Sequence, residues 1–259
     1  MTATATTSTT TTRTLATGRP LSLARAIHVE LHKLVDTRAG IALLATGILL
    51  TGAFAGGRAL LGGSPTTLGQ LANLAAWPAG LVVMVMAILL VTGEFSQRTA
   101  SITFVLDPRR GRVLAAKALA VLIVAVLAGG LALAAALGAG LVAPALGSPA
   151  VSLAVVPGDI AVLLGSTVFT AATGFAWALA TRNAPAPIVV LLVWPTLSML
   201  LGSLSDAAAT ALSWVELQPV ATLALGVEHG WWKLLVATLV WIAVPAAVGA
   251  ARTLRRDLP

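Results

Sequence analysis

The sequence predicts an all-α fold: a polytopic membrane protein with six transmembrane helices, both termini cytoplasmic, and an amphipathic interfacial helix before span 1. Three observations lead there. The composition is 58% hydrophobic and only 10% charged, with a mean hydropathy of +0.96, outside the range of soluble domains. Apolar runs of about 20 residues, enough to cross a hydrocarbon core ~30 Å thick, fall near 39–57, 74–93, 113–137, 160–181, 186–204 and 232–251. Those runs are apolar on every face, whereas a membrane barrel needs ~10-residue segments of alternating polarity.

Taken in chain order, residues 1–18 are mostly Thr and Ala without an apolar period and read as a disordered tail. The segment 19–38 predicts the amphipathic helix. Leu23, Ile27, Leu31 and Leu34 recur at three- and four-residue intervals, while Arg25, His28, His32 and Asp36 take other faces. Such a helix serves as an anchor leading into span 1, as a contact for a cytoplasmic partner, or as both. Because the first apolar run begins only at residue 39, no cleaved signal peptide is expected. Residues 39–259 then form the six-span domain, with a cytoplasmic loop at 94–117 and an outer segment at 202–230.

Proline and glycine punctuate that domain. Ala118 to Gly158 contains no charge, so Pro144, Pro149 and Pro157 alone mark the end of span 3 and the start of span 4. Thr181 to Pro187 reads as a tight cytoplasmic turn. The outer segment carries Asp206, Glu216 and Glu228 and is interrupted by Pro219. It is either an ordinary loop or a set of short helices dipping into the outer leaflet. Trp231 and Trp232 mark the outer interface where span 6 begins. Pro78, Pro195 and Pro245 sit inside spans and permit kinks, and Gly52 with Gly56 forms one Gly-x-x-x-Gly, a hint of close helix packing.

Orientation follows from the positive-inside rule. Every Lys and Arg except Arg58 and Lys233 falls on one side of the predicted bundle, in the leading segment, the loop after span 2, the turn at Arg182 and the terminal Arg252, Arg255 and Arg256. That side is the cytoplasm. The net charge of +7 is therefore a topology signal, and not the footprint of a nucleic-acid partner, because the charges sit at span ends and not on one soluble face. A multi-pass location in the cell membrane, the plasma membrane of a bacterium, is expected.

Little in the chain reads as chemistry. There is no cysteine, hence no disulfide and no thiolate metal site. His28 and His32 have the spacing of a zinc helix, but Glu30 lies two residues beyond His28, about 200° round the helix, where the metalloprotease motif has its Glu directly after the first His. The pair reads as a solvated face. Asp159 reads as the N-cap of span 4. No Gly-x-x-x-x-Gly-Lys-Ser/Thr sequence is present, so the chain is not expected to be an enzyme or to hydrolyse nucleotide alone. No cofactor and no metal are expected in it. Apart from Lys117, charges lie at or beyond the span ends, and Lys117 is near enough to the cytoplasmic boundary to snorkel.

The loop after span 2 is the most informative segment. Glu94 ends span 2, Arg98-Thr99 follow, then the apolar Ile102, Phe104, Val105 and Leu106, then Pro108, Arg109 and Arg110, and finally Lys117. Positive-inside bias alone accounts for the arginines but not for this order. The order resembles the ABC-2 type permeases, the membrane subunits of a class of ATP-binding-cassette transporters. Members have a Glu leaving the second span, a Gly-Thr or Arg-Thr pair, a short apolar stretch, a Pro closely followed by Arg, and a Lys opening the third span. This chain has Arg98-Thr99 where the commoner form has Gly-Thr.

The resemblance implies that Glu94, Arg98, Thr99, Pro108, Arg109 and Arg110 form the element that docks on a separate cytoplasmic ATPase subunit, which would hold the ATP. It also implies a second permease copy, as homodimer or heterodimer, with the substrate path between the two. The expected function is then a permease subunit of an exporter. The alternatives are an ion-gradient-driven secondary carrier, which calls for an ionisable group near the midplane, and a non-transporting membrane scaffold. Few polar groups project from the spans, which favours a hydrophobic or amphipathic cargo.

Overall fold

The computed structural model describes residues 22–62, 66–96, 110–149, 151–154, 156–224 and 229–255. Among them six helices are long and apolar enough to cross a membrane: Arg38–Leu61, Leu68–Gly93, Gly111–Leu146, Pro157–Thr181, Pro185–Gly202 and Gly230–Thr253. These are spans 1 to 6, in the predicted order. A leading helix, Leu23–Val35, precedes them. Beyond helices, the described residues hold one isolated parallel bridge between Thr67 and Ser152.

Local chemistry sets the helix ends. The Ser22 hydroxyl accepts from the Arg25 N–H at 3.3 Å, starting the leading helix. The Thr37 hydroxyl accepts from Gly40 N–H at 2.9 Å, starting span 1, so only Asp36 and Thr37 separate the two helices. Span 3 continues through Val142 into a 3₁₀ turn, Ala143–Leu146, that carries Pro144 and ends at Gly147 with φ of 81°. It is longer than the predicted 113–137, because its Ala, Gly and Leu run contains nothing to stop a helix before Pro144. Pro157 opens span 4, whose N-cap position belongs to Val156. Asp159 therefore stands in the first turn, where the helix dipole favours an acid, and not at the cap as its residue type suggested. Arg182, in the left-handed region with φ of 57°, closes that helix.

Span 2 is the centre of the bundle. Of its most apolar window 67% is buried, against 11–39% for the other five spans. Spans 2 and 4 run parallel, since Gly69 lies beside Asp159 at one end and Gly174 lies against Met84 further along. A Cβ on Gly174 would stand 2.7 Å from the Met84 carbonyl oxygen, so only glycine admits this backbone approach. The core is correspondingly built of small residues, among them Ala75, Ala79, Ala87, Ala120, Ala125, Ala171 and Ala178. Gly52 and Gly56, by contrast, have nothing within 4 Å of a Cβ, so among the described residues no helix uses their Gly-x-x-x-Gly face. Large apolar side chains on the peripheral spans point outward, Leu49 of span 1 being 72% exposed, as a lipid-facing surface requires.

Several hydroxyls inside the spans are satisfied locally. Thr92, Thr173 and Thr238 each donate to the carbonyl four residues back, at 2.8, 2.9 and 2.7 Å, the usual solution where no water is available.

Within the 202–230 region the described residues form short helices, Asp206–Leu212, Ser213–Val215 and Pro219–Ala224, with Pro219 starting the last; Glu228 lies outside the described residues. Their attachment is specific. The Val215 carbonyl accepts two indole N–H groups, from Trp194 of span 5 at 3.1 Å and Trp241 of span 6 at 2.9 Å. Trp241 reaches it from a π-helical turn, Leu239–Ala243, in which the Val244 N–H bonds the Leu239 carbonyl five residues back. Pro245 follows at once and supplies no N–H of its own, which is the local reason the helix widens there.

Candidate functional site

Two places concentrate polar groups in this apolar bundle, one at each end. The first lies where the leading helix meets the start of span 3. Lys117 is 3% exposed and Glu30 4%, and the Lys117 Nζ stands 2.7 Å from Glu30 Oε2 and 3.3 Å from the Leu90 carbonyl of span 2. The other carboxylate oxygen, Oε1, takes Lys33 Nζ at 2.7 Å. A carboxylate so placed bridges its own helix and the bundle.

This overturns the expectation that Lys117 snorkels. The physical reason is the register of the leading helix. Glu30 is three residues after Ile27 and four before Leu34, so it lies within the apolar stripe and faces the bundle with it. Leu34 is buried in a cluster with Ala79, Val83, Met86, Leu90 and Ala120, and Ile27 and Leu31 pack against it. The stripe is thus spent on protein. Lys117 has a counter-charge at its depth, and a buried pair is held because each charge would be costly without the other. The signal was present in the sequence as an acid on an apolar face. His28 and His32 are on the exposed side, their rings 5.3 Å apart, with His32 Nδ1 3.1 Å from Asp36 Oδ1.

Of the residues that the loop motif singles out, Arg98, Thr99, Pro108 and Arg109 lie outside the described residues, as does the rest of 97–109. Glu94 is placed in the last turns of the helix Leu68–Ser96, and Arg110 is the first residue of the helix Arg110–Val142. The loop therefore springs from the two helices that Lys117 and Leu90 hold together one to two turns below it. At the same end, Arg252 donates to the Ala180 carbonyl at 2.8 Å and Arg182 to the Thr253 hydroxyl at 3.4 Å, joining the ends of spans 4 and 6.

The second place is a half-open cavity of about 790 Å³ at the opposite end, lined by spans 2, 4 and 5 and the 206–224 segment. Asn73, Trp77, Ser166, Thr170, Thr173 and Trp194 line it, and Glu216 stands at its edge. Ser166, Thr170 and Thr173 recur at helical spacing and form one polar face of span 4. This corrects the expectation that few polar groups project from the spans: the face was visible as hydroxyls at i, i+4 and i+7, but a hydropathy window averages them away. The Ser166 Oγ is buried and has no hydrogen-bond partner. Burial holds the Glu216 carboxyl above its ordinary range, with the Lys233 ammonium pulling the other way. Because Val215 is clamped by two indoles, the adjoining Glu216 is held at the cavity by a fixed backbone.

No family model matches this chain, and no curated protein matches it.

Proposed function

We propose that this chain is the permease subunit of an ATP-binding-cassette exporter of the ABC-2 type, with both termini and the 94–117 loop in the cytoplasm, worked by a separate ATPase subunit and paired with a second permease. The observation that carries the reading is the ordered motif Glu94, Arg98-Thr99, Pro108, Arg110 and Lys117 between spans 2 and 3. Its last member gains a mechanical role from its setting. Lys117 ties the leading helix to spans 2 and 3 through Glu30 and the Leu90 carbonyl, so a push on the loop would move these elements as one body. Both flanks of the proposed docking face thereby belong to one rigid unit. The chain itself does no chemistry in this scheme.

The direct test is purification of the chain in detergent together with an ATPase subunit encoded beside it. Glu94→Lys and Arg98→Glu, made singly, should weaken that association or uncouple ATP hydrolysis while membrane insertion persists. Unchanged binding and unchanged coupled turnover in both variants would remove the loop from the mechanism.

A proton-driven carrier is the second reading, and Glu216 favours it. A carboxyl held above its ordinary range at the edge of a cavity is a group that can exchange a proton as cargo moves. Reconstituted alone, such a carrier would move substrate under a pH gradient without ATP; the permease would not.

A further inference from the structure

The cavity beside Glu216 is one-sided in charge. Its lining contains one acid, Glu216, and among the described residues no Lys, Arg or His. Lys233, the ammonium nearest in effect to Glu216, is not part of that lining. The hydroxyl hydrogens are largely spent as well. Thr167 donates to Leu163 and Leu164 carbonyls at 3.1 and 3.0 Å, Thr170 to Ser166 at 2.9 Å, Thr173 to Phe169 at 2.9 Å, and Ser213 to Thr210 at 2.7 Å. What these four side chains offer a ligand is lone pairs, while the unpartnered Ser166 hydroxyl and the Gln218 amide can still donate. The Asn73 amide N–H is engaged, with the Gly69 carbonyl at 2.9 Å.

We propose that this cavity binds an amphipathic organic monocation, its charged group at Glu216 and its apolar body against Trp77, Leu81, Met84 and Trp194. An anion would meet a carboxylate and no cationic side chain. A neutral hydrocarbon would leave the buried Ser166 Oγ and the Glu216 carboxylate without partners. A cation satisfies the carboxylate, and the two indoles lining the space add the attraction of their ring faces. The volume, about 790 Å³, falls within the range of small-molecule sites. The fixed Val215 backbone means that the acid is already in place before the ligand arrives, which lowers the cost of binding.

Calling this ligand a cargo rests on the permease reading, but its binding does not, so the two are tested apart. The chain alone, purified in detergent, is titrated with tetraphenylphosphonium and with tetraphenylborate, ions of like shape and opposite charge, each corrected against empty micelles. Saturable binding of one cation per chain is expected, and Glu216→Gln should weaken it about tenfold, the cost of one ion pair of ordinary strength, while leaving tetraphenylborate unchanged. Glu216→Asp should restore part of the cation affinity. Thr170→Trp, which fills the cavity from span 4, should abolish binding in protein that still elutes as a single species. Cation binding that is unsaturable, or equal in wild type and Glu216→Gln, overturns the proposal and marks the cavity as filled by lipid or detergent. Failure here leaves ATPase association untouched, and failure of that association leaves this binding to stand.

Discussion

The Glu30 carboxylate and the Lys117 ammonium, 87 residues apart in sequence, meet at 2.7 Å in a setting where both are almost fully buried. Removing one partner takes from the other a buried charge-assisted bond that water cannot replace, whereas removing both removes that imbalance and leaves mainly a packing defect. Glu30→Gln and Lys117→Met should therefore each cost about 3–5 kcal/mol, and the double variant less than their sum. Thermal unfolding of the four proteins in detergent measures the coupling. Additive losses would show that the pair is not a unit; Lys33, also bonded to Glu30, keeps the Lys117 variant toward the lower end of that range.

The double clamp on Val215 predicts a non-additive loss of the other sign. Trp194→Phe or Trp241→Phe leaves the carbonyl with one indole donor, so each single change should cost about 0.5–1.5 kcal/mol for the hydrogen bond. The double change leaves a half-buried acceptor bare and should exceed the sum. A double-mutant cycle by thermal unfolding, with amide exchange followed at 213–217, reads both the energy and its location. Equal exchange in all four proteins would mean that the indoles do not hold this segment.

Glycine 174 and the glycines of span 1 make opposite predictions from the same residue type. Gly174→Ala drives a Cβ toward the Met84 carbonyl and should destabilise the bundle by about 1–3 kcal/mol. Gly52→Ala and Gly56→Ala add a methyl to open space and should stay within about 0.5 kcal/mol. If the span 1 changes instead alter the elution volume of the assembled protein, that face meets a second copy.

Glu216 gives a pH dependence whose sign is fixed by its burial. The faces of spans 2, 4 and 5 that line the cavity carry no titratable side chain. Lys233 of span 6 is thus the charge set against it, with His229 placed against the neighbouring Trp214 at 6.1 Å between ring centroids. Because the folded carboxyl holds its proton more tightly than the unfolded one, the native state binds more protons between the ordinary and the raised value. Stability from this group is full in acid and is lost as pH rises through the raised value. Glu216→Gln should therefore match wild type near pH 4 and melt higher than wild type at pH 7 to 8. A gap that is flat with pH would show that the carboxyl is not shifted.

The spans were legible because twenty apolar residues have few other places to go, and the prolines at 144 and 157 marked the span 3 and span 4 boundaries that charge could not. The leading helix was legible as a stripe, but its partner was not. Glu30 interrupts that stripe, and an acid among leucines reads as noise until Lys117, 87 residues away, supplies the reason. The cavity was hidden differently. Ser166, Thr170 and Thr173 were each unremarkable in an apolar span, and only the parallel packing of spans 2 and 4 turns their common face toward Asn73 and Trp77. Pairings between distant segments, and not the segments themselves, are what a single sequence conceals.

Orientation is open to a test for which the chain is already prepared, since it contains no cysteine. The basic end carries Arg112, Lys117, Arg182 and Arg252, and positive charge is retained on the cytoplasmic side during insertion. The leading helix belongs to that end because Glu30 bonds Lys117, whereas the helix Asp206–Leu212 lies at the other. Thr210 and His28 are both exposed, so a cysteine at either is reachable from its own compartment. In intact cells an impermeant maleimide should label Thr210→Cys fully and His28→Cys only after permeabilisation. The reverse pattern would put the 94–117 loop outside the cell, where no ATPase could reach it, and the permease reading would fall with the orientation.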